Sequence, residues 1–361
     1  MKIKAIIFVL LLGLLSYGCT PQKQTGGSAS NNGGPDEAKL KEPEAKATMD
    51  ASVVLPPAPG LSKRPDVAEF IGYMVQKYGF NQTKLLDAFN QAGFQPSILD
   101  AMSKPYEAKP WYQYRKLFMT DKRINGGKAF LADNQSTLAK ASSRYGVPPD
   151  MITAIIGIES AYGVKPGKYR LIDSLSTLAF DYPRRASFFR GELEQFLLLC
   201  REESLDYLSP QGSYAGAMGM PQFMPSSYRK LAVDGDGDGK RDIWKNPADA
   251  VASVANYFSR NGWHTGEPIA VQASVTGEKF AGLVSRKNPK ASYTMQQLQE
   301  LGITPKEHIP AHLKAGLLEL QGETGPMYWI TFHNFNVIMR YNHSPLYAMA
   351  AYELTRQFRG Y

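Results

Sequence analysis

Residues 155–163 read Ile155-Ile156-Gly157-Ile158-Glu159-Ser160-Ala161-Tyr162-Gly163, and the fold assignment starts from them. The isoleucines predict an apolar helix over residues 149–160 that ends in a carboxylate and a glycine-containing turn. A glutamate in that place has one side against the core and the other toward a cleft. Burial would raise its pKa toward neutrality, as a general acid requires. The alternative is a surface glutamate near a helix end.

Helical periodicity continues on both sides of this segment. Val67, Phe70, Ile71, Met74 and Val75 share one face of a helix that should stop at Gly79, and Asn81 is a candidate cap for the next helix. Further helices are expected over 123–144, 187–206, 247–260 and 344–358. Residues 269–274 alternate in the manner of a strand, and 275–277 and 328–331 also favour strands. The expected class is mainly α, or α+β, with a small antiparallel β unit inserted in a helical protein.

Two later segments carry further polar candidates. Residues 212–228 read GSYAGAMGMPQFMPSSY, in which small residues allow close approach of a ligand to the backbone. Ser213 and Gln222 could hydrogen-bond a sugar, although a glycine-rich loop around buried methionines would look similar. Residues 340–350 read RYNHSPLYAMA and bring polar and aromatic side chains into a helix. A C-terminal helix capped by Ser344 would explain that segment without any function.

The order of these three motifs resembles the membrane-bound lytic murein transglycosylase B family, from about Pro65 to the C-terminus. The resemblance implies a lysozyme-like helical core flanked by a helical unit and a small β unit. It also implies cleavage of the β-1,4 bond between N-acetylmuramic acid and N-acetylglucosamine in peptidoglycan, leaving 1,6-anhydro ends. The expected division is a signal peptide (1–18), a lipid-anchored linker (19–62), a helical domain (63–145), the core (146–265), a β domain (266–330) and a return to the core (331–361).

The resemblance also assigns roles residue by residue. It implies that Glu159 is the catalytic acid and base, assisted by Ser213 and Asn342. The implied substrate-binding residues are Tyr114, Arg184, Arg185, Gln222, Tyr341 and Tyr347, with the two arginines placed to meet a peptide or muramyl carboxylate. Ser160-Ala161-Tyr162 departs from the family, where a threonine and a tryptophan are commoner, which affects the packing expected there more than the chemistry.

A single carboxylate in these motifs requires help from the substrate. Most glycosidases use two carboxylates, but a muramyl N-acetyl oxygen can attack C1 in place of the second. The C6 hydroxyl of the same sugar can then replace water. Two alternatives remain open: a hydrolytic lysozyme of the same fold, and a non-catalytic peptidoglycan-binding protein, which would not need a glutamate at 159.

Residues 234–242 read DGDGDGKRD, which fits the start of an EF-hand loop for calcium. The expected ligands are Asp234, Asp236, Asp238, the carbonyl of Lys240, Asp242 and, from beyond the usual twelve positions, Asp249. Lys245 stands where the bidentate glutamate normally lies. An Asp-Gly turn without metal is the alternative, and no organic cofactor is expected.

The N-terminus has the pattern of an export signal. Lys2 and Lys4 precede an apolar run over residues 5–15, which is too short to span a membrane, and Cys19 follows Gly18. Cys19 is the candidate for lipidation, although Ser16 and Tyr17 are unusual in a lipobox; cleavage with release is the alternative. The expected location is the periplasmic side of the outer membrane.

Composition agrees with an exported enzyme acting on a polymer. The formal net charge is +8, from 41 Lys and Arg against 33 Asp and Glu. This charge suits an acidic polymer or a membrane surface. The basic residues are scattered, which argues against nucleic-acid binding. Cys200 lies in an apolar run and is expected to be buried and inert.

Overall fold

Helices form most of the protein in the computed structural model, which describes residues 60–103 and 109–360. The described α-helices, α1 to α14 in chain order, are Pro65–Tyr78, Gln82–Gln91, Pro96–Met102, Trp111–Arg115, Asp121–Asp133, Gln135–Tyr145, Pro149–Ser160, Leu171–Asp181, Ala186–Glu202, Pro225–Leu231, Pro247–Arg260, Met295–Glu300, His333–Tyr341 and Pro345–Phe358. Short 3-10 helices occupy Leu61–Lys63, Pro183–Arg185 and Lys279–Leu283. The predicted signal peptide, Cys19 and nearly all of the predicted linker lie outside the described residues.

Local signals fix most helix ends. Helix α1 stops at Gly79, whose φ of 65° lies in the left-handed region that favours glycine. The Asn81 side chain accepts a hydrogen bond from the Lys84 amide and caps α2. Ser344 caps α14 in the same way through the Tyr347 amide. These sequence predictions are confirmed.

The helix expected over residues 123–144 is two helices, α5 and α6. They are separated at Asn134, whose φ and ψ of −115° and 23° leave the helical region. The Asn134 side chain donates to the carbonyl oxygen of Phe130 at 3.0 Å. Asparagine side chains compete with the backbone for such bonds, so the residue interrupts a continuous helix.

Helix α7 lies at the centre of the helical part. Every residue from Asp150 to Ser160 is buried. Helices α5, α6, α11 and α14 all pack against it. An isoleucine-rich helix without a polar face is stable only in such surroundings. The position of Glu159 in its last turn therefore places a carboxyl group inside the protein.

The small β unit is larger than the sequence indicated. Its described strands, β3 to β8, are Ala270–Val275, Val284–Ser285, Tyr293–Thr294, Ile303–Pro305, Lys314–Gln321 and Pro326–Thr331. Their order is β4-β7-β8-β3-β6, with β5 also paired to β7. The pairs are antiparallel except β4 with β7, which is parallel. A separate pair, β1 (Tyr169–Arg170) with β2 (Gln211–Gly212), precedes the glycine-rich segment.

The two faces of this sheet pack against different cores. On one face Leu318, Leu320 and Trp329 join the large apolar core of the helices. On the other face Leu317 and Ile330 belong to a smaller core within the β unit. Neighbouring residues point to opposite faces of a strand, so one strand contributes to both cores.

None of the helices in residues 60–103 and 109–360 is long and apolar enough to cross a membrane.

Candidate active site

The Glu159 carboxyl is buried at the end of α7. The residue is 8% exposed. The Tyr347 hydroxyl, from α14, donates a hydrogen bond to Glu159 Oε1 at 2.7 Å. The two residues are 188 positions apart in sequence, so this contact exists only in the folded chain.

Burial raises the pKa of Glu159 to about 8. Removal of water disfavours the carboxylate, and this effect exceeds the opposing effects of the Tyr347 hydroxyl and of the nearby Arg123 guanidinium. No Asp or Glu is among the described groups that shift this pKa. The group can therefore hold a proton near neutral pH and also release it there.

The rings of four residues pack together beside Glu159 and are called the aromatic wall here: Tyr257, Phe258, Tyr341 and Tyr347. The rings of Tyr341 and Tyr347 are stacked with an interplanar angle of 9° and centroids 6.5 Å apart. Tyr341 also contacts Tyr257 and Phe258 from α11, with centroids 4.5 and 5.8 Å away. The Tyr341 hydroxyl donates to the Pro221 carbonyl at 2.6 Å, which ties this wall to the glycine-rich segment. Burial raises the pKa of Tyr341 and of Tyr347, so both phenols are neutral.

The glycine-rich segment is a tightly folded loop rather than an open one. Ser213 is 1% exposed, and its hydroxyl accepts from the Ala217 amide at 3.0 Å. The Met220 amide donates to the Ile243 carbonyl. A Cβ added to Gly219, at φ 66°, would lie 2.5 Å from the Ile243 oxygen, so this close approach requires glycine.

Gln222 holds two neighbouring turns together. Its Nε2 donates to the Pro166 carbonyl at 3.0 Å and to the Gly219 carbonyl at 2.8 Å. Its φ of 51° is unusual for a residue with a side chain. The amide nitrogen is thus used within the protein, and the amide oxygen is the atom left for a ligand. Contact of Gln222 with a sugar stays a prediction.

The remaining predicted residues occupy different surroundings. Asn342 is 5% exposed and ends α13, while Tyr114 is 3% exposed in α4. Tyr114 acts electrostatically on Tyr347, which places it near the same wall. Arg185 lies over the Phe188 ring, 4.0 Å from its centroid, and Arg184 is exposed. The roles of these four residues stay predictions.

The acidic loop brings together some of its predicted ligands. Carboxylate oxygens of Asp234, Asp236 and Asp249 lie within 4.8 Å of one another. Asp249 is fully buried, and its pKa is raised by burial and by repulsion from Asp236 and Asp234. Asp238 accepts instead from the Lys240 amide at 2.8 Å, and Asp242 accepts from the Trp244 and Lys245 amides at 3.0 Å. Three oxygens around unbalanced negative charge fit a hard cation.

Two residues near Glu159 were missed by the sequence reasoning. Arg123, from the first turn of α5, acts electrostatically on Glu159, and Tyr257 packs on the aromatic wall. Neither belongs to a recognisable motif. Both come from helices distant in sequence, so only the packing around α7 shows them.

A family model for the transglycosylase SLT domain matches residues 62–356. The chain belongs to the transglycosylase SLT domain family. It is 39% identical to membrane-bound lytic murein transglycosylase B of Escherichia coli (strain K12), over 96% of each chain. As a member of the lytic murein transglycosylases it is a peptidoglycan-cleaving enzyme, and the predicted function is confirmed at that level.

Solved structures agree with the predicted lysozyme-like fold. Soluble lytic transglycosylase SltB1 from Pseudomonas aeruginosa is 45% identical, with a TM-score of 0.78, over 82% of this chain and all of that chain. E. coli lytic transglycosylase Slt35, solved in complex with calcium, is 42% identical, with a TM-score of 0.77, over 83% of this chain and 94% of that chain.

Proposed function

We propose that this transglycosylase cleaves the β-1,4 bond between N-acetylmuramic acid and N-acetylglucosamine with Glu159 as its single acid and base. The observation that carries the proposal is the buried Glu159 carboxyl, hydrogen-bonded by Tyr347, with a pKa of about 8. A group that donates a proton and later accepts one works best when its pKa is near the working pH.

In the first step Glu159 gives its proton to the glycosidic oxygen. The bond from C1 to that oxygen breaks while the N-acetyl oxygen of the muramyl sugar attacks C1. In the second step the Glu159 carboxylate takes the proton of the C6 hydroxyl. The C6 oxygen then attacks C1 and displaces the N-acetyl oxygen, which forms the 1,6-anhydro ring and restores protonated Glu159. No water is consumed.

The other predicted residues serve binding and orientation in this proposal. Ser213 accepts from a backbone amide through its hydroxyl oxygen, which leaves its O–H to donate toward a sugar. Asn342 would hold the N-acetyl group, and Tyr114, Tyr341 and Gln222 would line the sugar sites. Arg184 and Arg185 would meet the carboxylates of the muramyl side chain and its peptide.

Glu159→Gln tests the assignment of acid and base. Turnover on purified peptidoglycan should fall on the order of 10³-fold, the contribution of a positioned general acid, while glycan binding persists. Glu353→Gln is the matched control, because Glu353 is also buried but pairs with Arg115. Activity above a tenth of that of the unmodified enzyme would exclude Glu159 from this role.

Mass spectrometry of the released muropeptides tests the type of reaction. Ring closure by the C6 hydroxyl gives products lighter by one water than those of hydrolysis. Anhydro products are expected throughout, whereas reducing ends would mean that the enzyme is a hydrolytic lysozyme.

We also propose that the acidic loop binds calcium. Asp234, Asp236 and Asp249 would supply carboxylate oxygens, and Asp238, Asp242 and the Lys240 carbonyl could complete the shell by rearrangement. The ion would balance the charge around buried Asp249. Because the Ile243 carbonyl accepts a hydrogen bond from the Met220 amide, ordering the loop would also stabilise the segment that carries Gln222.

Cys19 is proposed to carry a lipid that holds the enzyme at the periplasmic side of a membrane. The E. coli relative is named as membrane-bound, and the N-terminal sequence has a short apolar run before the cysteine. Cys19→Ala should leave the protein soluble or unprocessed in cell fractionation. If the variant stays with membranes after a salt wash, the anchor lies elsewhere.

A further inference from the structure

Arg123 reaches the last turn of α7 from a separate helix. Its Nη1 donates to the Gly157 carbonyl and, at 3.3 Å, to the Ile158 carbonyl. The Gly157 carbonyl also accepts from the Ala161 amide at 3.1 Å, whereas Ile158 lies in the last turn, where carbonyls lack a partner within the helix and an arginine can satisfy them. The guanidinium also lies 5.2 Å from the centroid of the Phe118 ring. Glu159 is the next residue after the two carbonyls.

Tyr162 holds the backbone of Arg123 in place. Its hydroxyl donates to the Arg123 carbonyl at 2.7 Å. Its ring fills a slot over Gly157, where an added Cβ would lie 2.6 Å from the ring. Ala161 and Tyr162 have φ values of 52° and 62°, which is strained backbone for residues with side chains. Tyr162 therefore holds the backbone of Arg123 while the Arg123 side chain holds the backbone of α7.

We propose that Arg123 is a positioning residue for the reaction, fixing the last turn of α7 and placing a permanent positive charge beside the Glu159 carboxyl. This inference rests on the proposed role of Glu159. Arginine suits the task because it bridges two carbonyl oxygens and remains charged even when partly buried.

The other groups around Glu159 are neutral phenols, and the charged residues of the packed helices are exposed or have other partners. Tyr347, Tyr341 and Tyr257 interact with Glu159, but each is a phenol whose pKa is raised by burial. Helix α6 contributes Lys140 and Arg144, which are exposed. The remaining charges on α5, α11 and α14 are the exposed Asp121, Lys122, Lys128, Asp133 and Arg260, the acidic-loop residue Asp249, Glu353 paired with Arg115, and Arg356 beside the Tyr352 ring.

The charge on Arg123 opposes the effect of burial. It lowers the pKa of Glu159 whereas burial raises it. Without Arg123 the carboxyl would keep its proton to higher pH but would be a weaker acid, so proton transfer to the glycosidic oxygen in the first step would be slower, whereas the carboxylate left by that step would be a stronger base toward the C6 hydroxyl. The loosened last turn would also lower kcat.

The test is the pH profile of kcat/KM for the full chain in detergent, with peptidoglycan as substrate. In Arg123→Met the alkaline limb should move up by about one pH unit, the lower end of the effect of an opposite charge. Arg123→Lys, which keeps a positive charge, should restore most of the position of the limb. Arg144→Met removes an exposed arginine from α6, which also packs against α7, and should leave the limb in place.

Tyr162→Phe separates position from charge. It keeps the ring in its slot and removes only the hydroxyl, so kcat should fall a few-fold while the alkaline limb stays. It also keeps the proposal testable if Arg123→Met does not fold, together with Arg123→Lys. A limb that moves equally in Tyr162→Phe would overturn the assignment of the shift to the charge of Arg123.

Direct titration of Glu159 distinguishes failure of this inference from failure of the proposed function. Carbon-detected NMR of labelled glutamate reports the carboxyl, and Glu159→Gln identifies its signal. An unchanged titration in Arg123→Met would overturn the role of Arg123. A titration that moves while the kinetic limb does not would overturn Glu159 as the group that controls the reaction.

Discussion

Glu159 and the aspartates of the acidic loop place their carboxyl groups in two different surroundings within one fold. Glu159 lies among phenols and aliphatic side chains and accepts a hydrogen bond from one hydroxyl. Asp234, in the loop, accepts hydrogen bonds from the Gly239 and Gly237 amides at 2.8 and 2.6 Å, and these bonds lower its pKa. Burial favours the protonated form of Glu159, whereas the amides favour the charged form of Asp234. Burial and hydrogen bonds from backbone amides, rather than residue type, decide which carboxyl group keeps its proton.

Glu159→Asp is the sharpest test of the first environment. Shortening the side chain by one methylene withdraws the carboxyl from the Tyr347 hydroxyl and from the substrate. Turnover should fall on the order of 10²-fold, as expected for a misplacement of about 1 Å. The rise in melting temperature on adding calcium should equal that of the unmodified enzyme, and a changed calcium response would mean that the two regions are not independent.

The buried proton should also appear in stability. The pKa of Glu159 rises from 4.5 to about 8 on folding, so between these values unfolding releases a proton and stability falls as pH rises. Glu159→Gln has no such proton. The free energy of unfolding of the variant, minus that of the unmodified enzyme, should therefore increase by about 2 kcal/mol between about pH 5 and pH 7. Parallel curves in urea titrations at several pH values would contradict a proton held by burial.

Calcium should stabilise the second environment without affecting the first. An ion that binds only the folded state adds about 1.4 kcal/mol at tenfold excess over its Kd, so the melting temperature should rise. Asp249→Asn should remove this rise, because it deletes the buried carboxylate of the cluster, and magnesium should be less effective. Turnover at low temperature should change little on chelation. Immediate loss of turnover with the fold intact would show that the loop takes part in the reaction.

Tyr347→Phe should give the smallest effect. It removes one hydrogen bond to Glu159, so kcat/KM should fall about fivefold, corresponding to roughly 1 kcal/mol. Because the hydroxyl lowers the pKa of Glu159, the alkaline limb should also move to higher pH. Tyr352→Phe on the same helix is the control, since Tyr352 packs on Trp329 instead. A limb that does not move would mean that the hydroxyl only orients the carboxyl.

The sequence predicted the features that are local. The apolar run before Glu159, the glycine at the end of α1 and the Ser344 cap each depend on neighbouring residues, and each is found. The break at Asn134 was missed because a single asparagine is tolerated in many helices. Most of the sheet was missed because β4, β5 and β6 have only two or three residues each, too few to show alternation. The eight-residue strand β7 was missed for a different reason: four consecutive residues in it are buried, so it shows no alternation of apolar and polar side chains.

The site was predictable in its motifs and not in its contacts. Tyr347 was expected to touch sugar, and the structure shows its hydroxyl on Glu159 itself. The Arg123 contact depends on how α5 crosses α7, which no local pattern encodes. Asp249 was expected as a ligand from beyond the usual loop, and it does lie with Asp234 and Asp236.

The strand that carries Trp329 and Ile330 has a consequence for protein engineering. Its alternate residues complete two different cores, so the β unit is not an attachment that can be removed at its ends. Excision of residues 266–330 would uncover the apolar surface that Leu318, Leu320 and Trp329 now cover. A shortened enzyme would therefore need polar replacements on that surface of the helices before it could stay soluble, and a graft of the β unit onto another protein would have to supply a matching apolar surface.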